Sequence, residues 1–353
     1  MSQAAGQDPG KPTIGDVREA HRLDEAALDR WLAANVEGYA GPLEVRQFQG
    51  GQSNPTYLLT TPGARFVMRK KPPGQLLASA HQVDREYRVM KALGGADFPV
   101  PRMRGLCEDD SVVGTSFYVM DFLEGRIFRD ARLPDMSPTE RRAIYDELIR
   151  VMTKLHAVDV EKVGLSDFGK PGNYFERQVG RWIKQYRGAE TELIPDMEAL
   201  IEALPKRIPA DDTVTIAHGD YRLENVMFHP TEPRIIAVLD WELCTLGHPL
   251  ADLGYNCILW HSRSESWGTL DGVDIVASGI PTEAEYVAAY TKLTGRGEIT
   301  DFPFYLAFSL FRLASISQGV FKRNLDGIGA GPASTDNSGV KILAATALEV
   351  LNR

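Results

Sequence analysis

The segment AHGDYRLENVMF places Asp220 and Asn225 immediately ahead of a short apolar run, and Asp240 closes a second apolar run in RIIAVLDWE. The run after Asn225 reads as a strand, HPTEP as a turn and RIIAVLDWE as the returning strand, which predicts a hairpin. A turn at Pro230–Pro233 sets Asn225 beside Leu239 and Asp240, and the loop entering the hairpin holds Asp220 close to both. Two carboxylates and an amide oxygen around one point are hard oxygen ligands, suited to magnesium rather than to a softer metal. A metal held by one carboxylate and one amide leaves coordination positions for phosphate oxygens, the usual situation of nucleotide-bound magnesium. His218, Gly219 and Asp220 alone also fit a plain turn whose side chains satisfy backbone donors. Asn225 and Asp240 at fitting distances tilt the balance towards a site. His218 reads as a hydrogen-bonding brace of the loop, since a His-x-Asp metal pair has no third soft ligand at a persuasive spacing.

These residues need a scaffold. At 353 residues the chain exceeds one typical core, so two packed lobes are expected. A content of 43% hydrophobic and 25% charged residues without low-complexity runs argues against disorder or a fibre. A net charge of −9 gives no electrostatic reason to approach nucleic acid or an anionic membrane. Cys107, Cys244 and Cys257 are an odd set at wide spacings, matching neither a disulfide framework nor a zinc knuckle, and fit a reducing cytoplasm. The N-terminus has no basic start followed by an apolar core, and no later window reads as a membrane span of roughly 18 apolar residues. The expectation is a cytoplasmic protein with no membrane and no nucleic-acid partner.

Residues 1–22, rich at first in Gly, Pro and Gln, read as a mobile tail. LDEAALDRWLAANVEGY carries Leu23, Leu28, Trp31 and Leu32 at helical spacing. The period then changes, and LEVRQFQGGQSNPTYLLTTPGARFVMRKKPP predicts three antiparallel strands turning at Gly50-Gly51 and Pro62-Gly63. A helix over HQVDREYRVMKAL and a strand over SFYVMDFLEG complete an N-terminal lobe at 23–123. From Ser137, an N-cap with Pro138 in the first turn and Glu140 three residues on, the pattern is helical almost to the end. The fold class is therefore α+β, an antiparallel-sheet lobe followed by a larger, mostly helical lobe at 124–353 that carries the hairpin.

HGDYRLEN followed by VLDWE resembles the signature of aminoglycoside phosphotransferases and choline kinases, relatives of the protein kinases, whose catalytic loop has an Asp and an Asn at the same separation. The resemblance covers nearly the whole chain and implies a bilobal, protein-kinase-like fold using ATP and Mg2+. Carried over, Asp220 looks like the base that accepts the proton of a substrate hydroxyl, and Asn225 and Asp240 look like the magnesium ligands. Many aminoglycoside phosphotransferases have a His where this chain has Arg222. A guanidinium there suits charge neutralisation on the transferred phosphoryl group, or equally a surface ion pair. Glu242 is either a contact of a second metal or a water-facing side chain.

The resemblance also assigns the first lobe to the nucleotide. FQGGQSNPTYLL lies where the family has a loop over the phosphates, so Ser53 and Asn54 are candidate phosphate contacts, a ligand-free hairpin turn being the alternative. Arg69 and Lys70 point to opposite faces of their strand, so one of them enters the cleft. Kinases of this branch favour Arg69, with Glu86 as its partner on the next helix. FYVMDFLEG resembles the hinge, which implies that Asp121 to Leu123 offer backbone groups to the adenine edge and that Met120 or a neighbour gates the pocket, ordinary core being an equal reading of the Met and Phe residues. Asp252 resembles the residue that braces the active-site loop from a helix.

The acceptor is a small-molecule hydroxyl, its pocket expected from the helical insertion at about Ser137 to Ile208 and the C-terminal helices. Trp182, Tyr186, Tyr255, Trp260 and Phe311 line that pocket or fill the core, with core preferred. GGQSNPTYLL, MRKKPPGQLLASAHQVDREYRVM and HGDYRLENVMF look closest to kinase-like domains fused to, or encoded beside, acyl-CoA dehydrogenases. That similarity implies a hydroxyacyl-CoA or related acceptor and enzymes of that pathway as partners. A silent nucleotide-binding module and a metal hydrolase built on His218 and Asp220 are the competing classes.

Overall fold

The computed structural model describes residues 13–49, 54–72, 82–263, 268–327 and 336–353. Along the chain the elements are β1 (Thr13–Gly15), α1 (Glu25–Asn35), β2 (Glu44–Gln49), β3 (Thr56–Thr60), β4 (Arg65–Lys70), α2 (Val83–Gly95), β5 (Met103–Cys107), α3 (Asp110–Val113) and β6 (Phe117–Asp121). There follow α4 (Pro138–His156), α5 (Tyr174–Ala189), α6 (Pro195–Ala203), β7 (Thr215–Ala217), β8 (Val226–Phe228), β9 (Ile235–Val238) and β10 (Thr245–Gly247). The chain closes with α7 (Pro249–Asn256), α8 (Ile275–Ser278), α9 (Glu283–Thr294), α10 (Phe302–Leu325) and α11 (Ser338–Leu351). The chain divides into two compact units. The first is the chain up to Ile127 with Lys162–Leu165 and Glu224–Leu243, and the second is the remainder.

In the first unit an antiparallel sheet runs in the order β1-β2-β3-β4-β6-β5. Alternation along β4 sends Phe66 and Met68 into a core with Leu28 and Leu32 of α1, while Val67 and Arg69 share the other face. Residues 13–22, expected as part of a mobile tail, are instead tied to the sheet, and 1–12 lie outside the described residues. Thr13–Gly15 pairs with β2, the Arg18 amide donates to Gln47, and Tyr57 donates its hydroxyl to the His21 carbonyl at 2.8 Å. Three residues are too few to display a period, and their pairing covers what would be an exposed strand edge. β5 also escaped the alternation rule, because Met103-Arg104-Gly105-Leu106 stays half-buried on both faces.

The hairpin β8–β9 forms as expected, with Val226 opposite Val238 and a turn closed by the His229 amide on the Arg234 carbonyl. It groups with the sheet unit rather than with the helical part of the chain. Arg126 and Phe228 exchange both backbone hydrogen bonds at 2.8 Å, and the Val238 amide donates to the Pro99 carbonyl. Backbone pairing therefore overrides position in the sequence.

The second unit is helical. Ser137 and Glu140 close the capping box that starts α4. α10 packs against α5, α7 and α11. Phe175 of α5 sits among Phe304, Tyr305 and Phe308 of α10 at 5.2–5.3 Å between ring centroids. α10 is long and apolar enough to cross a membrane, which the sequence reading did not register, and most of it is buried inside this unit.

Candidate active site

Arg69 is the centre of the site in the sheet unit. Its guanidinium contacts Glu86 of α2 at 3.3 Å, Asp240 at 3.1 Å and Glu242 at 3.7 Å. Burial opposes the charge, yet Tyr118, Glu86, Asp240 and Glu242 together hold Arg69 protonated beyond its ordinary range. Burial, with the neighbouring Asp240 and Glu242, pushes the Glu86 carboxyl up in spite of Arg69 and of the hydrogen bond from Tyr118 at 3.0 Å. Lys70 takes no part. Its ammonium is buried on the opposite face and donates to the Val113 carbonyl at 2.8 Å, so Arg69 is the side chain on the site face of β4.

A cavity of about 790 Å³ lies in the same unit, lined by Val67, Met120, Leu123, Met227 and Leu239 among others. Asp121 and Leu123 border it at the end of β6. The Asp121 amide donates to the Arg102 carbonyl, its carboxylate takes both Nε and Nη2 of Arg104, and the Phe122 amide donates to the Arg65 carbonyl. Gly125 is required here, since a Cβ would stand 2.3 Å from Met227 and 2.5 Å from the Phe228 carbonyl.

Asn225 and Asp240 close the hairpin from its two ends, joined by the Leu239 amide on the Asn225 carbonyl at 2.8 Å. Asp240 adopts φ +64°, a left-handed conformation uncommon for a residue with a side chain and frequent at functional positions. Among the described residues no three His, Cys, Asp or Glu side chains form a metal cluster. One carboxylate and one amide fit magnesium only where phosphate oxygens complete the shell.

The helical unit carries Asp220 on a loop fixed from three sides. The buried Asp252 of α7 accepts the His218 amide at 2.7 Å and the Gly219 amide at 2.8 Å, and lies 3.2 Å from His156. Burial raises its carboxyl, but His156, His218 and the Gly219 amide outweigh that and hold it below the ordinary range. Arg312 of α10 donates to the Gly219 carbonyl at 2.6 Å, and the Asp220 amide donates to the His218 ring at 3.2 Å. Gly219 sits at φ +82°, which explains a glycine beside the catalytic candidate. Burial, and then the Asp220 carboxylate that hydrogen-bonds to it, pushes the Tyr255 hydroxyl well up, with Arg312 and Arg222 acting against it.

Residues 44–290 match the phosphotransferase enzyme family that includes aminoglycoside phosphotransferases. The chain belongs to this family. Over 334 residues it is 45% identical to acyl-CoA dehydrogenase family member 10 of Mus musculus, covering 94% of this chain and 31% of that protein. Over 360 residues it is 42% identical to acyl-CoA dehydrogenase family member 11 of Gallus gallus, covering 97% and 45%. The chain thus spans less than half the length of these relatives. A solved Ralstonia eutropha structure assigned as an aminoglycoside phosphotransferase superposes with a TM-score of 0.87 at 51% identity, covering 94% of this chain and 99% of that one. Two more distant structures share the fold. An aminoglycoside phosphotransferase in ternary complex with ADP and hygromycin B gives 0.58 at 13% identity, covering 92% and 98%. A choline kinase from Cryptosporidium parvum gives 0.60 at 12%, covering 93% and 95%.

In this phosphotransferase the structure gathers Asn54, Arg69, Glu86 and Asp240 in the sheet unit, and Asp220 with Arg222 beside Tyr255 in the helical unit. Asn54, expected as a phosphate contact, donates its amide to Glu86 at 3.0 Å and so supports the ion pair. Ser53 lies outside the described residues. Glu242 joins Arg69, a role absent from either expectation for it. Three participants were missed. Tyr118 stands opposite Arg69 in the β4–β6 register, a signal available once that pairing is known. Tyr255 was assigned to the core, and Arg312 lies far along the chain from the loop it holds.

Proposed function

We propose that this phosphotransferase is an ATP- and Mg2+-dependent small-molecule kinase that moves the γ-phosphoryl group to a hydroxyl, with a hydroxyacyl-CoA-type metabolite as its acceptor. One arrangement carries the reading: Arg69 bound to both Glu86 and Asp240, with Asn225 tied to the other end of the Asp240 hairpin. Arg69 suits phosphate oxygens while Glu86 holds its position, and the apolar cavity beside Leu123 suits a purine. Asn225 and Asp240 are the residues that would hold magnesium, which supplies neutralisation of the phosphate charge when bound. Asp220 accepts the proton of the attacking hydroxyl, its loop held by Asp252 and Arg312 so that little reorganisation is needed.

The acceptor class follows from the names of the relatives, acyl-CoA dehydrogenase family members 10 and 11, whose sequences contain this region. Acyl-CoA dehydrogenases are accordingly the expected pathway partners, and three free, buried cysteines accord with the cytoplasm. A silent nucleotide-binding module would have no need of Asp220, Asn225 and Asp240 together. An aminoglycoside or choline acceptor is the second reading, supported by the fold neighbours. The test is ATP turnover by the full chain with magnesium and hydroxyacyl-CoAs, kanamycin or choline, beside Asp220→Ala. Acceptor-dependent ADP release lost in the variant is the expected result. Failure to bind ATP would refute the site, and turnover with kanamycin or choline alone would replace the acceptor class.

A further inference from the structure

We propose that the helical unit contains a subsite for an oxygen acceptor group on the substrate, a carboxylate or a thioester carbonyl, read by Nε of Arg312 and Nε1 of Trp182. The subsite deepens the kinase reading and takes from it only that a hydroxylated molecule is bound.

Arg312 stands in the middle of α10 and is 7% exposed. A buried guanidinium demands partners for its charge and its five N–H donors. One is met by the Gly219 carbonyl at 2.6 Å. The charge lies against two rings, Trp182 of α5 at 5.5 Å and Tyr255 of α7 at 5.2 Å. Among the described residues no carboxylate lies within ion-pair distance of it. Among the described residues its Nε is buried without a hydrogen-bond partner, and so is Nε1 of the Trp182 indole, whose ring lies against the guanidinium. Two buried donors left unmade would cost about 1–3 kcal/mol each, so a native arrangement that keeps both calls for an acceptor.

The chemistry of that acceptor is narrow. Both orphaned atoms are donors and one belongs to a cation, so the group they take is an oxygen, anionic or strongly polarised. Arg181 adds a second guanidinium over the Trp182 ring at 5.6 Å, which makes this wall hostile to ammonium groups. Polycationic aminosugars and choline are therefore disfavoured at this position. The subsite also adjoins the catalytic loop: Arg312 holds the carbonyl next to Asp220, and the Tyr255 ring on its other side gives its hydroxyl to the Asp220 carboxylate. A hydroxyl presented to Asp220 and an oxygen taken by Arg312 must belong to one short segment of one molecule. Hydroxy acids and hydroxyacyl thioesters meet that requirement, and simple alcohols do not.

The experiment needs no turnover. The full chain is titrated with 3-hydroxybutyrate, 3-hydroxybutyryl-CoA, free CoA, 2-butanol and kanamycin, followed by ligand-observed NMR. The expected result is that the acid or the thioester binds at least about tenfold more tightly than 2-butanol or kanamycin, the worth of one charge-assisted hydrogen bond. Binding of the acid identifies the carboxylate as the group. Binding of the thioester alone, beyond that of free CoA, identifies its carbonyl. Trp182→Phe keeps a ring against Arg312 and removes the N–H, and is expected to weaken the preferred ligand about five- to tenfold. Equal binding of acid, thioester and 2-butanol, no binding of either oxygen ligand, or an unaltered affinity in Trp182→Phe would overturn the subsite. Addition of Mg-ATP separates the two claims. A bound hydroxy acid that is never phosphorylated refutes the kinase and leaves the subsite, whereas phosphorylation of kanamycin without oxyacid binding does the reverse.

Discussion

At the scale of single residues, the proposed reaction asks different things of Arg69 and Asp220. Asp220 is the proposed acceptor of the hydroxyl proton, so Asp220→Asn should lower kcat by about 10²–10⁴-fold while the dissociation constant of ATP stays within about twofold. Single-turnover kinetics with nucleotide titration checks both, and a large change in ATP affinity would mean that Asp220 serves the nucleotide instead. Arg69 acts by charge placement. Glu86 is 1% exposed and has the Arg69 guanidinium as its cation. Arg69→Ala should thus cost about 3–5 kcal/mol in urea unfolding and weaken ATP binding, because a buried carboxylate is left without its counter-ion. Arg69→Lys should recover only part of this, since a single ammonium does not reproduce a fork that reaches Glu86 through Nη1 and Asp240 through Nη2. Full recovery by Lys would show that point charge is enough.

At the scale of elements, the cap of α7 makes folding sensitive to pH. His248 caps this helix, its Nδ1 accepting the Leu250 amide at 3.2 Å while Nε2 lies 3.2 Å from the Asp211 carboxylate. The cap needs an unprotonated Nδ1, and burial holds the imidazole neutral with a pKa lowered to about 4 from an ordinary 6.5. Folding therefore favours the neutral ring. Its contribution is complete above about pH 6.5 and is lost as pH falls towards 4, at up to ~1.4 kcal/mol per pH unit. His248→Asn retains a capping oxygen and removes the titration, so its stability between pH 6.5 and 4.5 should fall less steeply than the parent's. Parallel urea midpoints in that window would exclude His248 as the cause. α7 also shows what a sequence can and cannot disclose. Asn225 and Asp240 were legible as a pair because their spacing is local and the hairpin joins its two ends, the Leu239 amide donating to the Asn225 carbonyl. Asp252 was legible through its place on the following helix. Arg312, at a separation of 93 residues from Gly219, and Tyr118, which depends on a strand register, have no local signature. β1 was invisible because pairing with β2 defines it rather than any pattern of its own.

At the scale of the whole molecule, the residues proposed for the two substrates fall in different units: the nucleotide and metal candidates Arg69, Asn225 and Asp240 in one, and Asp220 with the proposed Arg312 subsite in the other. Ligand linkage makes this division measurable. A ligand that binds only the folded state stabilises it by about 2.7 kcal/mol at a hundredfold excess over its dissociation constant. Mg-AMP-PNP should therefore raise the unfolding temperature of the full chain, and the rise should vanish in Asp240→Ala and survive in Trp182→Phe. The oxygen-bearing acceptor should show the opposite pattern, with its stabilisation surviving Asp240→Ala and shrinking in Trp182→Phe. The crossed design guards against a trivial explanation, because a variant that merely damages folding lowers the midpoint with and without either ligand and leaves both increments intact. Loss of both increments in both variants would mean that the two sets of residues serve one indivisible binding event, and the assignment of separate substrates to them would fail.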